Sequence, residues 1–189
     1  MTCAVLRLAA LAGCALALLG AADASARAPR GWTPDMRAAI AFAKKRQGVV
    51  SFAVRTERRR YRFHAERTAP AASVVKAMML VAYLNHPAVR NRDLRHADWA
   101  LLSPMIRRSD SDAANSVVTY VGDWRLRLLA QRAGMRHFAT HPVWGLSRIC
   151  AADVTRLFLR LDRYVVARHR AAAFTLLRTI HPSQRWGIA

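Results

Sequence analysis

The stretch that most constrains the fold is residues 71–84, AASVVKAMMLVAYL, in which Lys76 is the only charged side chain. Ala, Met and Leu favour helix, and no Gly or Pro interrupts them, so the stretch predicts a helix over 73–85. Because this helix is apolar on every side, other elements must surround it. An ammonium group buried there needs a partner, a lowered pKa or an escape to water.

Two interpretations of Lys76 are open at this point. In the first, the methylene stem lies along the core and the charge reaches water near the start of the helix. In the second, Ser73 shares a helix face with the lysine, which takes the hydroxyl proton and makes the serine a nucleophile. A Ser-x-x-Lys pair is short and occurs by chance, so the pair alone does not decide.

The N-terminal segment has the pattern of a secretory signal peptide. Arg7 precedes the apolar run 8–22, and Ala-Ser-Ala at 24–26 is a typical cleavage site. We therefore expect residues 1–26 to be removed after Ala26, residues 27–189 to form one domain, and the protein to be secreted or in the cell envelope. The letters LAGC, ending at Cys14, also match a lipoprotein signal, which leaves lipoprotein and free secretion as alternatives. Cleavage leaves Cys150 as the single cysteine and excludes an intramolecular disulfide.

The chain is strongly basic, with 31 Lys and Arg against 11 Asp and Glu and a net charge of +20. Its arginines are scattered, and the sequence has no zinc pattern, basic zipper or aromatic-rich basic strand, so we expect no nucleic-acid partner. An anionic cell-wall or lipid surface suits the charge better, and a solvated arginine-rich surface is the alternative. No metal-ligand spacing or phosphate loop is present, so we expect no cofactor. We expect a monomer.

The pattern along the chain predicts an α+β fold that is mostly helical with an N-terminal β-hairpin. Residues 34–48 read as a helix capped by Thr33, and alternation over 49–56 predicts a strand whose hairpin partner is 60–66. After the first core helix, further helices are predicted at 98–107, 112–121, 123–133, 150–162 and 167–180. Two strands alone make a marginal hairpin, so we expect that the strands completing the sheet are absent from this chain.

A second polar cluster, Ser109–Asp110–Ser111, separates two predicted helices, with Asp112 as the predicted N-cap of the second. By itself such a triplet is most simply a cap and turn. Together, the Ser-x-x-Lys helix and this triplet resemble the first two motifs of class A β-lactamases and penicillin-binding proteins, whose third motif is KTG. The segment from residue 134 to about residue 163 and the closing PSQRWGI also resemble related exported serine hydrolases. The resemblance runs from about Pro34 to the end of the chain.

The resemblance implies a β-lactamase/transpeptidase-like fold and a serine hydrolase acting on β-lactams or D-Ala-D-Ala peptides of peptidoglycan. It implies that Ser73 is the acylated nucleophile, that Lys76 is its general base, directly or through water, and that Ser109 relays the proton to the leaving nitrogen. Ser111 stands where the family has an asparagine that contacts the substrate. Two residues would have structural roles near the site, namely Asp110 and Asn115.

Two departures from the family pattern limit the expected activity. No acidic residue lies between Asp123 and Asp153, where class A β-lactamases carry the glutamate that activates the deacylating water, so lactam turnover should be weak. His137 and His141 are alternative bases in that loop. The chain also ends at Ala189 without a KTG strand, which indicates truncation. A catalytically impaired member of the same fold that binds the cell wall is therefore the alternative function.

Overall fold

The computed structural model describes residues 32–185, so the predicted signal peptide lies outside the described part of the chain. The chain divides into residues 1–34 and 35–189, and the fold below belongs to the second unit. Its α-helices are α1 (Met36–Lys44), α2 (Val75–Leu84), α3 (Pro87–Arg90), α4 (His96–Arg107), α5 (Ser111–Val121), α6 (Asp123–Arg132), α7 (Ala151–Leu159), α8 (Leu161–Tyr164) and α9 (Arg170–Arg178). Its strands are β1 (Phe52–Arg55), β2 (Arg60–Phe63), β3 (Thr68–Pro70) and β4 (Arg148–Cys150). The predicted mostly helical α+β fold is confirmed.

Helix α2 is the centre of the core. Each of its ten residues is buried, Lys76 included, and it packs against α4, α5, α6 and α9. The apolar character of its sequence on every side predicted this position correctly, since only a helix enclosed by other helices covers every face. In the described residues, no helix is both long and apolar enough to cross a membrane.

Several helix boundaries differ from the prediction. The N-cap of α1 is Asp35, whose carboxylate accepts the Ala38 N–H, and not Thr33. The N-cap of α5 is Asp110, which accepts the Ala113 N–H at 2.8 Å, and not Asp112. Neighbouring Ser, Thr and Asp residues are all good caps, so propensity cannot choose between them. Short α3 lies between the predicted helices 73–85 and 98–107, where no helix was predicted, and the predicted helix 150–162 is divided between α7 and α8.

The predicted hairpin is present and shorter than predicted. β1 and β2 pair antiparallel, with Phe52 opposite Phe63 and their rings 5.5 Å apart. The Thr56 hydroxyl closes the turn by accepting the Arg59 N–H. All four β1 residues are half-buried, so neither face is fully covered, and within residues 32–185 no third strand joins this sheet.

A second small sheet was missed by the sequence prediction. β3 pairs antiparallel with β4, which places Thr68 opposite Cys150. Three-residue strands are too short to show an alternating pattern, and the partners are far apart in sequence, so only the folded chain reveals them. The pairing brings the loop 136–147 beside the segment that precedes α2. The Ala71 N–H donates to the Ser147 carbonyl at 2.7 Å and ties the two together.

Candidate active site

Ser73 lies on a 3₁₀ turn, Ala72–Val74, that leads directly into α2. The residue before it, Ala72, has φ of 44°, in the left-handed region that costs a non-glycine residue about 1 kcal/mol or more. Ser73 is exposed while the residues from Val75 onward are buried. Its hydroxyl lies 2.7 Å from the hydroxyl of Ser109. The nucleophile candidate is thus open to solvent on one side and bonded to a polar group on the other.

Lys76 is 3% exposed and extends from the first turn of α2 toward Ser109. Its amine donates to the Ser109 carbonyl at 2.5 Å and to the Ser109 hydroxyl at 3.1 Å. Within the described residues, no hydrogen bond joins Lys76 directly to Ser73. The sequence analysis left the transfer from Ser73 to Lys76 open as direct or through water, and in this structure both oxygens of Ser109 hold the amine.

The three polar groups form a continuous chain from the Ser73 hydroxyl through the Ser109 hydroxyl to the Lys76 amine. Snorkelling does not describe Lys76, since its amine is buried and hydrogen-bonded. Each link is within proton-transfer distance. The arrangement can move a proton from Ser73 to Lys76 with Ser109 as the carrier.

Ser109 itself has a strained backbone, with φ of 59°. The residues on either side hold it there: α4 ends just before it, and Asp110 caps α5 with its carboxylate while its own N–H donates to the Pro104 carbonyl at 3.1 Å. Strained residues persist where the surrounding structure fixes them, and they concentrate at functional sites. In this conformation both the carbonyl and the hydroxyl of Ser109 accept hydrogen bonds from Lys76.

The pKa of Lys76 is lowered from the ordinary lysine value of 10.5, chiefly because burial disfavours the charged amine. The nearby Asp110 carboxylate opposes the shift. A lowered pKa increases the fraction of free amine at a given pH. Lys76 is therefore a better proton acceptor than an exposed lysine.

Trp144 is a site residue that the sequence analysis did not single out. It lies on a 3₁₀ turn, Trp144–Leu146, in the loop held by β4, and Lys76 Nζ lies 5.0 Å from its ring centroid. Its indole N–H donates to Asn115 Oδ1 at 2.7 Å. Asn115, predicted to be structural, thus fixes the tryptophan. Nothing in the local sequence signals this contact, because Trp144 and Lys76 meet only through the β3–β4 pairing.

Ser111 is the first residue of α5 and is exposed. It follows the cap Asp110 directly and lies two residues after Ser109 in the chain. The two loop histidines lie elsewhere: His141 Nδ1 accepts the Val143 N–H, and His137 Nδ1 lies 3.6 Å from an oxygen of Asp153. Neither ring bonds to the serines or the lysine.

One group of side chains has the composition of a metal site. The ligand atoms of His137, Cys150 and Asp153 lie within 4.8 Å of one another. Both oxygens of Asp153 are already occupied, by the N–H groups of Arg136 and His137 and by the Arg156 guanidinium. These bonds give Asp153 a structural role, since they anchor the loop to the first turn of α7.

The central buried helix, the flanking hairpin and the Ser–Ser–Lys chain together define a β-lactamase-like fold. The structure is similar to the crystal structure of a β-lactamase from Desulfarculus baarsii DSM 2075, with a TM-score of 0.62, 20% identity, and coverage of 78% of this chain and 71% of that one. It is also similar to a β-lactamase from Sphaerobacter thermophilus DSM 20745, with a TM-score of 0.64, 19% identity, and coverage of 77% and 68%.

No protein-family model matches the chain, and no curated protein does. At this identity the two structures establish the fold, and the predicted β-lactamase-related architecture is confirmed.

Proposed function

We propose that this protein is an exported serine hydrolase that forms an acyl-enzyme at Ser73, with β-lactams or D-Ala-D-Ala peptides as substrates. The proposal rests on the proton path from Ser73 through Ser109 to the buried amine of Lys76. The β-lactamase-like fold supports the same reaction class. The substrate class comes from the motif resemblance, since amide and lactam carbonyls are what such serines attack.

In the proposed reaction, the Ser73 oxygen attacks the carbonyl carbon of the amide or lactam. The Ser73 proton passes to Ser109, and the Ser109 proton passes to the free amine of Lys76. The C–N bond then breaks, and the proton returns through Ser109 to the leaving nitrogen. Lys76 ends the acylation step as a free amine, so acids and bases balance.

Release of the acyl group should be slow. The segment from residue 124 to 152 has no carboxylate, and neither loop histidine bonds to the Ser73 network. Water attacking the ester would have no loop carboxylate to activate it and would depend on the Ser109–Lys76 pair that already serves acylation, and loss of a dedicated general base typically costs about 100-fold or more in rate. We therefore expect a stoichiometric burst of acylation followed by little turnover.

Labelling of the full chain with a fluorescent penicillin tests the proposal. Covalent label should appear on the purified protein, be lost in Ser73→Ala and persist in Ser116→Ala, which removes an exposed hydroxyl elsewhere on α5. Tryptic mapping should locate the label on the peptide that contains Ser73. Absence of label on the folded wild-type protein, or equal labelling of Ser73→Ala, would contradict the proposal.

The second candidate is a non-catalytic member of the same fold that binds the cell wall. The net charge of +20 and the serine at position 111, which is shorter than asparagine, favour it. This function predicts no covalent label but salt-sensitive sedimentation with purified peptidoglycan, unchanged in Ser73→Ala. The labelling result therefore separates the two functions.

A further inference from the structure

A groove lies at the end of α2 opposite to Ser73 and is lined by α2, α3, α6, α8, the segment that follows α8 and the first residue of α9. It has a volume of about 400 Å³, within the range of about 300–1,000 Å³ that is usual for ligand pockets. Its apolar lining includes Val81, Leu129 and Val165, which are all buried. This groove is separate from the proposed active site.

Every charged side chain that lines the groove is positive. None of the lining side chains is acidic. Five are arginines, namely Arg90, Arg125, Arg132, Arg163 and Arg170. Like charges around one groove repel one another, so the fold is less stable with this set than with neutral residues there unless an anion neutralises it.

Three of these arginines have no side-chain partner within the described residues. In the described part of the chain, the guanidinium groups of Arg90, Arg132 and Arg163 have no hydrogen-bond or ion-pair partner. The other two donate hydrogen bonds to backbone carbonyls, Arg125 to Val121 and Arg170 to Val165, and Arg125 also lies over the Trp124 ring at 4.2 Å. The groove therefore presents planar donors that match a phosphate.

The rim of the groove is apolar and exposed. Trp124 and Leu128 lie one turn apart on α6, and they are 52% and 45% exposed. A small soluble anion gains nothing from such side chains. A lipid does, because tryptophan and leucine beside arginines are the side chains that insert at a membrane interface.

We propose that this groove binds the headgroup of an anionic phospholipid at a membrane surface. The arginines bind the phosphate, the apolar floor contacts the glycerol and upper acyl chain, and Trp124 and Leu128 enter the interface. The proposal is independent of catalysis at Ser73, and it gives the basic charge of the chain a specific location.

Co-sedimentation of the full chain with phosphatidylcholine vesicles, with and without phosphatidylglycerol, tests the proposal. Wild type should bind only the vesicles that contain phosphatidylglycerol. The double variant Arg132→Gln with Arg163→Gln should weaken this binding by about tenfold or more, since each basic side chain near an anionic surface contributes substantially. Trp124→Ala should also weaken it, without any change of charge.

The matched control is Arg58→Gln with Arg67→Gln, which removes the same charge from exposed positions outside the groove. Both double variants retain the apolar run 8–22, so any contribution of that run to vesicle binding is the same in the two. The proposal would be overturned if wild type did not bind the vesicles, or if the two double variants lost binding equally. It would also be overturned if Trp124→Ala bound as wild type does and a soluble polyanion competed fully for the protein. Circular dichroism should show that each variant is folded.

Discussion

At the scale of single residues, the position of Ser109 between Ser73 and Lys76 makes it the carrier of the proposed proton transfer. Ser109→Ala removes both of its hydroxyl contacts and leaves the Lys76 bond to the residue 109 carbonyl in place. We expect the rate of labelling by fluorescent penicillin to fall by about 100-fold or more, as for loss of a proton-transfer group. Labelling reactions quenched after set times measure this rate, and Ser116→Ala is the control. A rate within twofold of wild type would show that Lys76 acts on Ser73 without the relay.

The lowered pKa of Lys76 predicts the pH dependence of acylation. The reaction needs the free amine, so its rate should rise with pH and level off above the folded pKa of Lys76. Because burial lowers that pKa, the rise should be centred below the ordinary lysine value of 10.5. The pH profile of the initial labelling rate checks this, with protein folding verified at each pH. A profile centred at or above that value would contradict the burial of an active amine.

Trp144 should affect the same profile. Its ring favours the ammonium by a cation–π contact, which would raise the pKa, and it also excludes water, which lowers the pKa. Burial is the largest cause of the shift, so exclusion of water should win. Trp144→Ala is therefore expected to move the acylation profile to higher pH. The control is Trp124→Ala, which removes an exposed tryptophan and should leave the profile unchanged. A shift to lower pH in Trp144→Ala would show that the cation–π contact outweighs the exclusion of water.

At the scale of elements, Asp98 joins the start of α4 to α2. It is buried, accepts bonds from the Tyr83 hydroxyl and the Arg95 N–H, and pairs with Arg92. Bonding to the Arg92 guanidinium, with the bonds from Tyr83 and Arg95, holds the pKa of this carboxyl well below its usual range. A carboxylate whose folded pKa is depressed stabilises the protein fully above its ordinary pKa of 3.8, and that contribution decreases as pH falls below it.

Asp98→Asn should lower the free energy of unfolding by about 3 kcal/mol near neutral pH, because it leaves a partly buried guanidinium without its counter-charge. Urea denaturation measures the change, and the difference from wild type should shrink on acidification below the ordinary carboxyl pKa. Asp93→Asn is the matched control: Asp93 is 90% exposed and pairs with Arg168, so its loss should cost less than about 1 kcal/mol. Equal effects of the two substitutions would contradict the role of Asp98.

The elements also show how far local sequence patterns reach. The apolar run of α2 and the alternation of β1 located these elements, because both patterns are local and many residues contribute to each. β3 and β4 escaped prediction since each has three residues and the partner lies about eighty positions away. The caps of α1 and α5 were displaced by two residues, since adjacent acidic and hydroxyl residues compete for the same backbone N–H groups.

At the scale of the whole molecule, the net charge of +20 opposes the compact state. Six arginine–carboxylate ion pairs in the described residues are attractive, but the excess of basic residues makes the long-range sum repulsive. Raising the salt concentration from low to moderate shortens the Debye length from about 30 Å to about 8 Å. The thermal unfolding midpoint should therefore rise with sodium chloride. Equimolar changes in a neutral solute such as glycerol serve as the control, and a midpoint that falls with salt would show that the ion pairs dominate.

The sequence alone predicted an enclosed helix over residues 73–85 and a hairpin before it, and the resemblance to the β-lactamase motifs is what grouped Ser73, Lys76 and Ser109. The helix and the hairpin follow from local periodicity, which any fold of this chain has to accommodate. Only the tertiary structure decided that Ser109 carries the link from Ser73 to Lys76, that Trp144 covers the amine, and that five arginines surround one groove. Those arrangements depend on contacts between residues distant in sequence, and such contacts exist only once the helices and the two small sheets have packed together.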